Sequence, residues 1–202
     1  MKKDITGIIL CGGKRLRMQT NKALLKLDDK TIIEIILAEM KKVFEDVIIS
    51  ANDCEDFSFL NIPIIKDIQV NLGPLGGIHS ALKESKTDKN FITTCDLPLI
   101  NRKMIEHISI IDSEKEIVIP AINGMPQRLF GVYNKSLIKK IEQIFELSKT
   151  DKNIKGSIYE LHQRASVELV EVSHLPLYKE NMFMNMNTPE EYELIKNIYE
   201  NQ

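Results

Sequence analysis

The residues with the clearest capacity for chemistry lie in the stretch IILCGGKRLRMQTNKALLKL, residues 8–27. A β-branched run stops at Gly12-Gly13. Lys14, Arg15, Arg17 and Lys22 follow, with no acidic residue before Asp28. Two glycines directly after a strand let successive backbone N–H groups converge on one anion. Arginine forks and lysine point charges suit the oxygens of a triphosphate. The local excess of cations favours that use over a surface turn with solvated basic residues. The spacing is neither G-x-x-x-x-G-K-[ST] nor G-x-G-x-x-G, so neither common phosphate signature identifies it.

Two carboxylates extend the pattern. Asp96 follows FITTC and precedes Leu97-Pro98. Pro98 disfavours helical geometry at Leu97, so the chain turns just past the carboxylate. Asp67 ends a second β-branched run, IPIIKD. A carboxylate at a strand's end suits Mg2+, which takes one or two carboxylates and completes its shell with phosphate oxygens and water. Each Asp alone is equally a turn or capping residue. In NLGPLGGIHSAL, three glycines around Pro74 make a tight helix entry that admits a ligand or a packed backbone. In FMNMNTPEEY, Asn185 and Asn187 alternate on an extended segment, so both amides face one side. The four histidines, His79, His107, His162 and His174, are scattered and form no nucleophile–base set.

These groups need elements to hold them. The pattern predicts strands over 5–10, 46–52, 62–67, 90–96, 116–122, 127–133 and 167–172. Helices are expected over 31–44, 73–85, 102–111, 136–147, 157–164 and 188–200. Thr31 with Glu34, and Thr188 with Glu191, form capping-box signatures. Asn123-Gly124 marks a hairpin turn between 116–122 and 127–133. Continuous apolar strands alternating with helices imply an α/β fold. The sheet is mostly parallel, with some antiparallel character and helices on both faces. Ligands then sit at the carboxyl ends of the strands, where strand order reverses. The residues that end strands are Cys11-Gly12-Gly13, Ser50-Ala51-Asn52, Lys66-Asp67 and Cys95-Asp96.

Bulk properties narrow the class. The 202 residues fit one domain, and a net charge of −2 excludes nucleic-acid binding by bulk electrostatics. The three cysteines, Cys11, Cys54 and Cys95, form no C-x-x-C pair and are expected to be small buried apolar residues. No apolar run reaches membrane-spanning length, and the start of the chain lacks a signal-type hydrophobic region. A cytoplasmic protein is expected.

The segments LCGGKRLRMQTNKALLKL, GPLGG, TTCDLPLI and NMNTPEEY occur in this order over nearly the whole chain. Together they resemble the molybdenum cofactor guanylyltransferase family of MobA-like nucleotidyltransferases. The resemblance implies a doubly wound, Rossmann-like fold in one domain, residues 1–202. It implies transfer of GMP from GTP to the terminal phosphate of a molybdopterin cofactor, with release of pyrophosphate. Carried over by position, Leu10, Cys11, Gly12 and Gly13 lie against the nucleotide. Lys22, with Arg17 or Arg15, binds the triphosphate, and Asp96 binds Mg2+. Asp67 contacts the nucleotide, Ser50 or Asn52 lies near the base or ribose, and Asn185 and Asn187 lie on the pterin or metal side. GTP and molybdopterin are the implied substrates. Molybdoenzymes or other cofactor-biosynthesis proteins are the implied partners, with no nucleic acid and no membrane.

The chain departs from the family pattern at Cys11, where alanine is usual, and at Gln19 and Asp29, where glycine is usual. A cytidylyl- or sugar-phosphate nucleotidyltransferase shares the glycine loop, lysine and metal-binding Asp and remains an alternative. A non-catalytic nucleotide-binding regulatory protein is the alternative of another class.

Overall fold

The computed structural model describes residues 1–12, 21–70, 72–151, 154 and 156–201. Gly13, Lys14, Arg15, Arg17 and Gln19 of the basic loop lie outside the described residues.

The first strand, β1 (Ile5–Leu10), is buried along its whole length. Its register pairs it in parallel with β4 (Val47–Ser50) on one side and β6 (Lys89–Thr94) on the other. Before β4 come a two-residue hairpin, β2 (Lys26–Leu27) with β3 (Lys30–Thr31), and helix α1 (Ile32–Lys41). Strand β5 (Ile64–Ile65) extends the sheet beyond β4, and α2 (Gly73–Glu84) and α3 (Arg102–Ser109) flank β6 in the chain. Then come β7 (Ile117–Ile122), β8 (Met125–Pro126) and β9 (Gly131–Asn134). Helices α4 (Leu137–Thr150) and α5 (Ile158–Arg164), strand β10 (Val167–Glu171) and helix α6 (Pro189–Glu200) complete the order.

The main sheet runs β10-β7-β9-β6-β1-β4-β5, with β8 paired to β7. Along this path only β9 is antiparallel to its neighbours. The mixed, mostly parallel sheet read from the sequence is therefore present, with the antiparallel character placed in β8 and β9. Because β1 is central, its side chains alternate between two cores. Ile5 and Ile9 face a cluster built with α1, α3 and α6, and Ile8 and Leu10 face one built with α2, α4 and α5.

Helix ends follow the residues that cap them. Thr31 and Glu34 form a reciprocal capping box on α1, and Thr188 and Glu191 form another on α6. Pro74 sits in the first turn of α2, where its missing N–H costs no helical bond.

Several boundaries differ from the sequence reading. The 62–67 strand shortens to Ile64–Ile65 because its chain leaves the sheet edge at once. The 116–133 hairpin is split. Asn123 and Gly124 take positive φ values of 50° and 78° and close β7 onto β8. A turn over Gln127–Phe130 then interrupts the second arm, and β9 inserts between β7 and β6. Asp28 takes a φ of 52° in the β2–β3 turn, beside the Asp29 that stands where the family pattern expects glycine.

Gly131 is the residue that lets β9 fit. Its φ is +146°, and a Cβ there would lie 2.2 Å from the Val118 carbonyl oxygen. Neither the backbone conformation nor the gap to β7 accommodates a side chain. Gly131→Ala should destabilise the fold by roughly 2 kcal/mol or more. Urea denaturation checks this, and a midpoint equal to that of wild type would contradict the assigned strand insertion.

Candidate active site

The site forms where β1, β4 and β6 end together. The Cys11 amide donates to the Ser50 carbonyl at 2.8 Å, and the Cys95 amide donates to the Leu10 carbonyl at 3.1 Å. Leu10, Cys11, Ser50 and Cys95 are thus locked by continued ladder bonds, and all are buried. The next residues, Gly12, Asn52 and Asp96, emerge at the sheet's carboxyl edge. A Cβ added at Gly12 would meet nothing within 4 Å, so open space faces this backbone. Burial, with Cys95 and Asp96 close by, pushes the Cys11 thiol's pKa well up and keeps it neutral.

Lys22 reaches the same edge from a single turn of 3-10 helix, Lys22–Leu24. Asn21 caps that turn through its Oδ1, which accepts from the Ala23 amide, and its Nδ2 donates to Asp56 at 2.8 Å. Buried Ala23 anchors the turn against the α1 side of the sheet. The Lys22 ammonium donates to Asn187 Oδ1 at 2.9 Å and lies 3.9 Å from Asp96 Oδ1. The two charged side chains are 24% and 32% exposed, so the pair is shielded yet open to a ligand.

Asn187 arrives from the far end of the chain. Met186 is fully buried and its amide donates to the Asp96 carbonyl at 3.0 Å, which pins the segment across β6. Asn185 is exposed, Met186 buried and Asn187 partly exposed, which is the alternation read from the sequence. Of the two amides, Asn187 engages the lysine and carboxylate. Glu191 accepts from the amides of Asn187 and Thr188, so the α6 capping box also fixes the site segment. The Tyr192 hydroxyl donates to the Lys26 carbonyl at 2.7 Å, tying α6 to the strand after Lys22.

Asp96 lies in a low-dielectric setting. Burial raises its pKa, Lys22 opposes that rise and Glu191 adds to it. Its amide donates to Thr94 Oγ1, and Leu97 turns back toward the Thr94 carbonyl.

Asp67 forms a second station. Asn52 Nδ2 donates to its Oδ2 and the Asp67 amide donates to Asn52 Oδ1, both at 3.0 Å. The carboxylate overlies the first turns of α2, where a Cβ on Gly76 or Gly77 would lie 3.6 Å from it. A Cβ on Gly77 would also lie 2.8 Å from Ser50 Oγ. These glycines bring the helix start close to the ends of β1 and β4, and a helix N-terminus favours the anionic carboxylate.

The structure therefore brings Lys22, Asp96 and Asn187 into one cluster, and Ser50, Asn52 and Asp67 into a second across the end of β1. Arg17 and Gly13 lie outside the described residues. Sequence reasoning missed Asn21, although an Asn directly before a lysine-led turn is a capping signal. Among the described residues no three His, Cys, Asp or Glu side chains form a metal-holding group. A cation at Asp96 would need other oxygens, which a bound triphosphate and water provide. Among the described residues no helix is long and apolar enough to cross a membrane.

Comparison with known proteins gives a consistent result. The profile described as the MobA-like NTP transferase domain matches residues 7–165. A relative from Carboxydothermus hydrogenoformans, named a probable molybdenum cofactor guanylyltransferase, is 31% identical over 98% of both chains. A relative of the same name from Clostridium perfringens strain 13 is 35% identical over 93% of this chain and 94% of its own. The crystal structure of molybdopterin-guanine dinucleotide biosynthesis protein A from Archaeoglobus fulgidus superposes with a TM-score of 0.80. It is 21% identical and covers 98% of this chain and 100% of its own, so that likeness concerns the fold.

Asn52→Ala removes both bonds to Asp67. It should cost about 1 kcal/mol of stability, because the pair is exposed and each net bond is modest. It should weaken GTP binding several-fold through loss of Asp67 orientation. A GTP titration of the folded variant checks this, and unchanged affinity would place Asp67 outside the nucleotide site.

Proposed function

The chain belongs to the MobA-like NTP transferase family, and on that premise we propose that it transfers GMP from GTP to the terminal phosphate of a molybdopterin cofactor, forming the guanine dinucleotide and releasing pyrophosphate. The near-full-length likeness to guanylyltransferases carries this reading. The Lys22–Asp96–Asn187 cluster supplies charged groups of the kind the reaction needs.

The reaction joins an oxygen of the acceptor's phosphate to the α-phosphorus of GTP and breaks the bond to the β-phosphate. A phosphate monoester has its second pKa near ~6, by analogy with phosphoserine, so the nucleophile is largely dianionic at neutral pH. No side chain has to remove a proton. Lys22 and Asp96 act on charge and position, the main sources of rate in phosphoryl chemistry. The Asn187 amide oxygen aims the Lys22 ammonium, which offsets charge on the triphosphate and departing pyrophosphate. Asp67 accepts hydrogen bonds from donor groups of the nucleoside, and the Gly12 backbone borders the phosphates. Arg17, from the basic loop, adds a second cation in this reading.

Mg2+ is part of the proposal. Asp96 fits it as a hard oxygen donor at the open sheet edge, with the remaining ligands left to phosphate and water. Once bound there, the ion would neutralise phosphate oxygens.

Three outcomes test the proposal. Pyrophosphate release should require GTP, molybdopterin and Mg2+ together. Equal or faster release with CTP would instead favour a cytidylyltransferase, and nucleotide binding without release would favour a regulatory protein. Asp96→Asn should lower turnover by about 100-fold or more with the fold intact, and near-wild-type turnover at saturating Mg2+ would remove Asp96 from the mechanism. The Asp96 pKa is raised, so its carboxylate protonates at a higher pH than an ordinary aspartate. In the metal-free protein the Asp96 carboxyl resonance should therefore titrate, as pH falls, at a pH above the usual aspartate pKa of ~3.9. A midpoint at or below that value would contradict the assignment.

A further inference from the structure

Among the described residues, Arg102 and Arg164 each hold a glutamate at 2.7 Å. Arg128 pairs with no carboxylate among the described residues, and its Nε is buried without a hydrogen-bond partner. Its guanidinium carbon lies 5.4 Å from the centre of the Tyr159 ring. That cation–π contact supplies no counter-ion. Two polar side chains beside it, Tyr133 and His162, are neutral. The buried Tyr133 hydroxyl donates to the Arg128 carbonyl and lies 2.8 Å from His162 Nε2. With that hydroxyl proton committed, His162 is the donor to the tyrosine oxygen. Burial first, and the Arg128 charge second, push the His162 pKa down to about 4, so it stays uncharged near neutral pH. A partly buried cation with neutral neighbours is costly unless an anion joins it.

Arg128 stands at the carboxyl edge of the sheet. It lies in the Gln127–Phe130 turn just before β9. Because β9 runs antiparallel to β6, its start lies beside the ends of the parallel strands. The Phe130 ring packs against Phe183 with centroids 5.1 Å apart, two residues before Asn185. On the other side, Tyr159 belongs to the first turn of α5. A Cβ on Gly156, just before that helix, would lie 3.7 Å from Leu72 at the start of α2. Arg128 is thus on the β6–β9–β7 half of the edge. Asp67, Asn52 and Ser50 are on the β1–β4–β5 half.

We propose that Arg128 binds the acceptor substrate, its guanidinium taking an oxygen of the acceptor's phosphate on the β6–β9–β7 half of the edge. This rests on the transferase reading above. A two-substrate transfer needs a cation for the acceptor's phosphate besides Lys22, which the reading above assigns to the triphosphate.

The test compares wild type, Arg128→Ala and Arg128→Lys. Pyrophosphate release gives KM for molybdopterin and for GTP, and equilibrium titration with molybdopterin reads acceptor binding without turnover. Arg128→Ala should raise KM and Kd for molybdopterin about tenfold or more, the loss expected for a charge-assisted bond. Its KM for GTP should stay within about twofold, since that loss is confined to the acceptor. Arg128→Lys should show a smaller loss, because lysine keeps the charge without the fork; it also serves if the alanine variant melts. The His162 ring resonances of wild type should shift on adding molybdopterin and not on adding GTP. Equal molybdopterin affinity in all three proteins, or an equal rise in both KM values, overturns the proposal. A wild type that binds molybdopterin through Arg128 but releases no pyrophosphate overturns the transferase reading and leaves the acceptor site standing.

Discussion

The hydrogen bond from Lys22 Nζ to Asn187 Oδ1 joins positions 165 residues apart, and the arrangement of the site depends on it. A flexible lysine beside a partly buried carboxylate has many conformations. The amide oxygen selects one that leaves the ammonium 3.9 Å from Asp96 instead of collapsed onto it. The rest of the structure makes that contact possible. Buried Met186 and its bond to the Asp96 carbonyl fix the segment that carries Asn187. The Asn21 cap fixes the turn that carries Lys22. Glu191 and Tyr192 connect the start of α6 to both.

The same design explains why so few ionisable groups suffice. The parallel ends of β1, β4 and β6 place backbone and carboxylates at one edge, and the α2 entry closes it with glycines instead of side chains. Charge is then held in place by neutral amides, Asn52 for Asp67 and Asn187 for Lys22. Amide partners leave the carboxylate and ammonium charges available to substrate.

Much of this was legible in the sequence, because it is local. The β-branched runs, the Thr-x-x-Glu caps and the Asn-Gly turn fixed most elements to within a few residues. The strand-end rule pointed to Asp67 and Asp96. The Asn185–Asn187 alternation survived because the intervening Met186 is a core residue. What was not legible depends on long-range placement. Nothing near Asn187 indicates that Lys22 is its partner. Arg128 reads as a strand residue in QRLFGVY, and only the Gln127–Phe130 turn moves it to the sheet's edge. The insertion of β9 between β6 and β7 reverses spatial against chain order, which local patterning does not encode.

A double-mutant cycle on Lys22→Ala and Asn187→Ala, read as kcat/KM for pyrophosphate release from GTP, tests the central contact most directly. If Asn187 acts by aiming Lys22, its removal should be harmful in wild type and nearly silent once Lys22 is gone. The coupling should be about 1 kcal/mol or more. Strictly additive losses would contradict the account, because the two residues would then act separately.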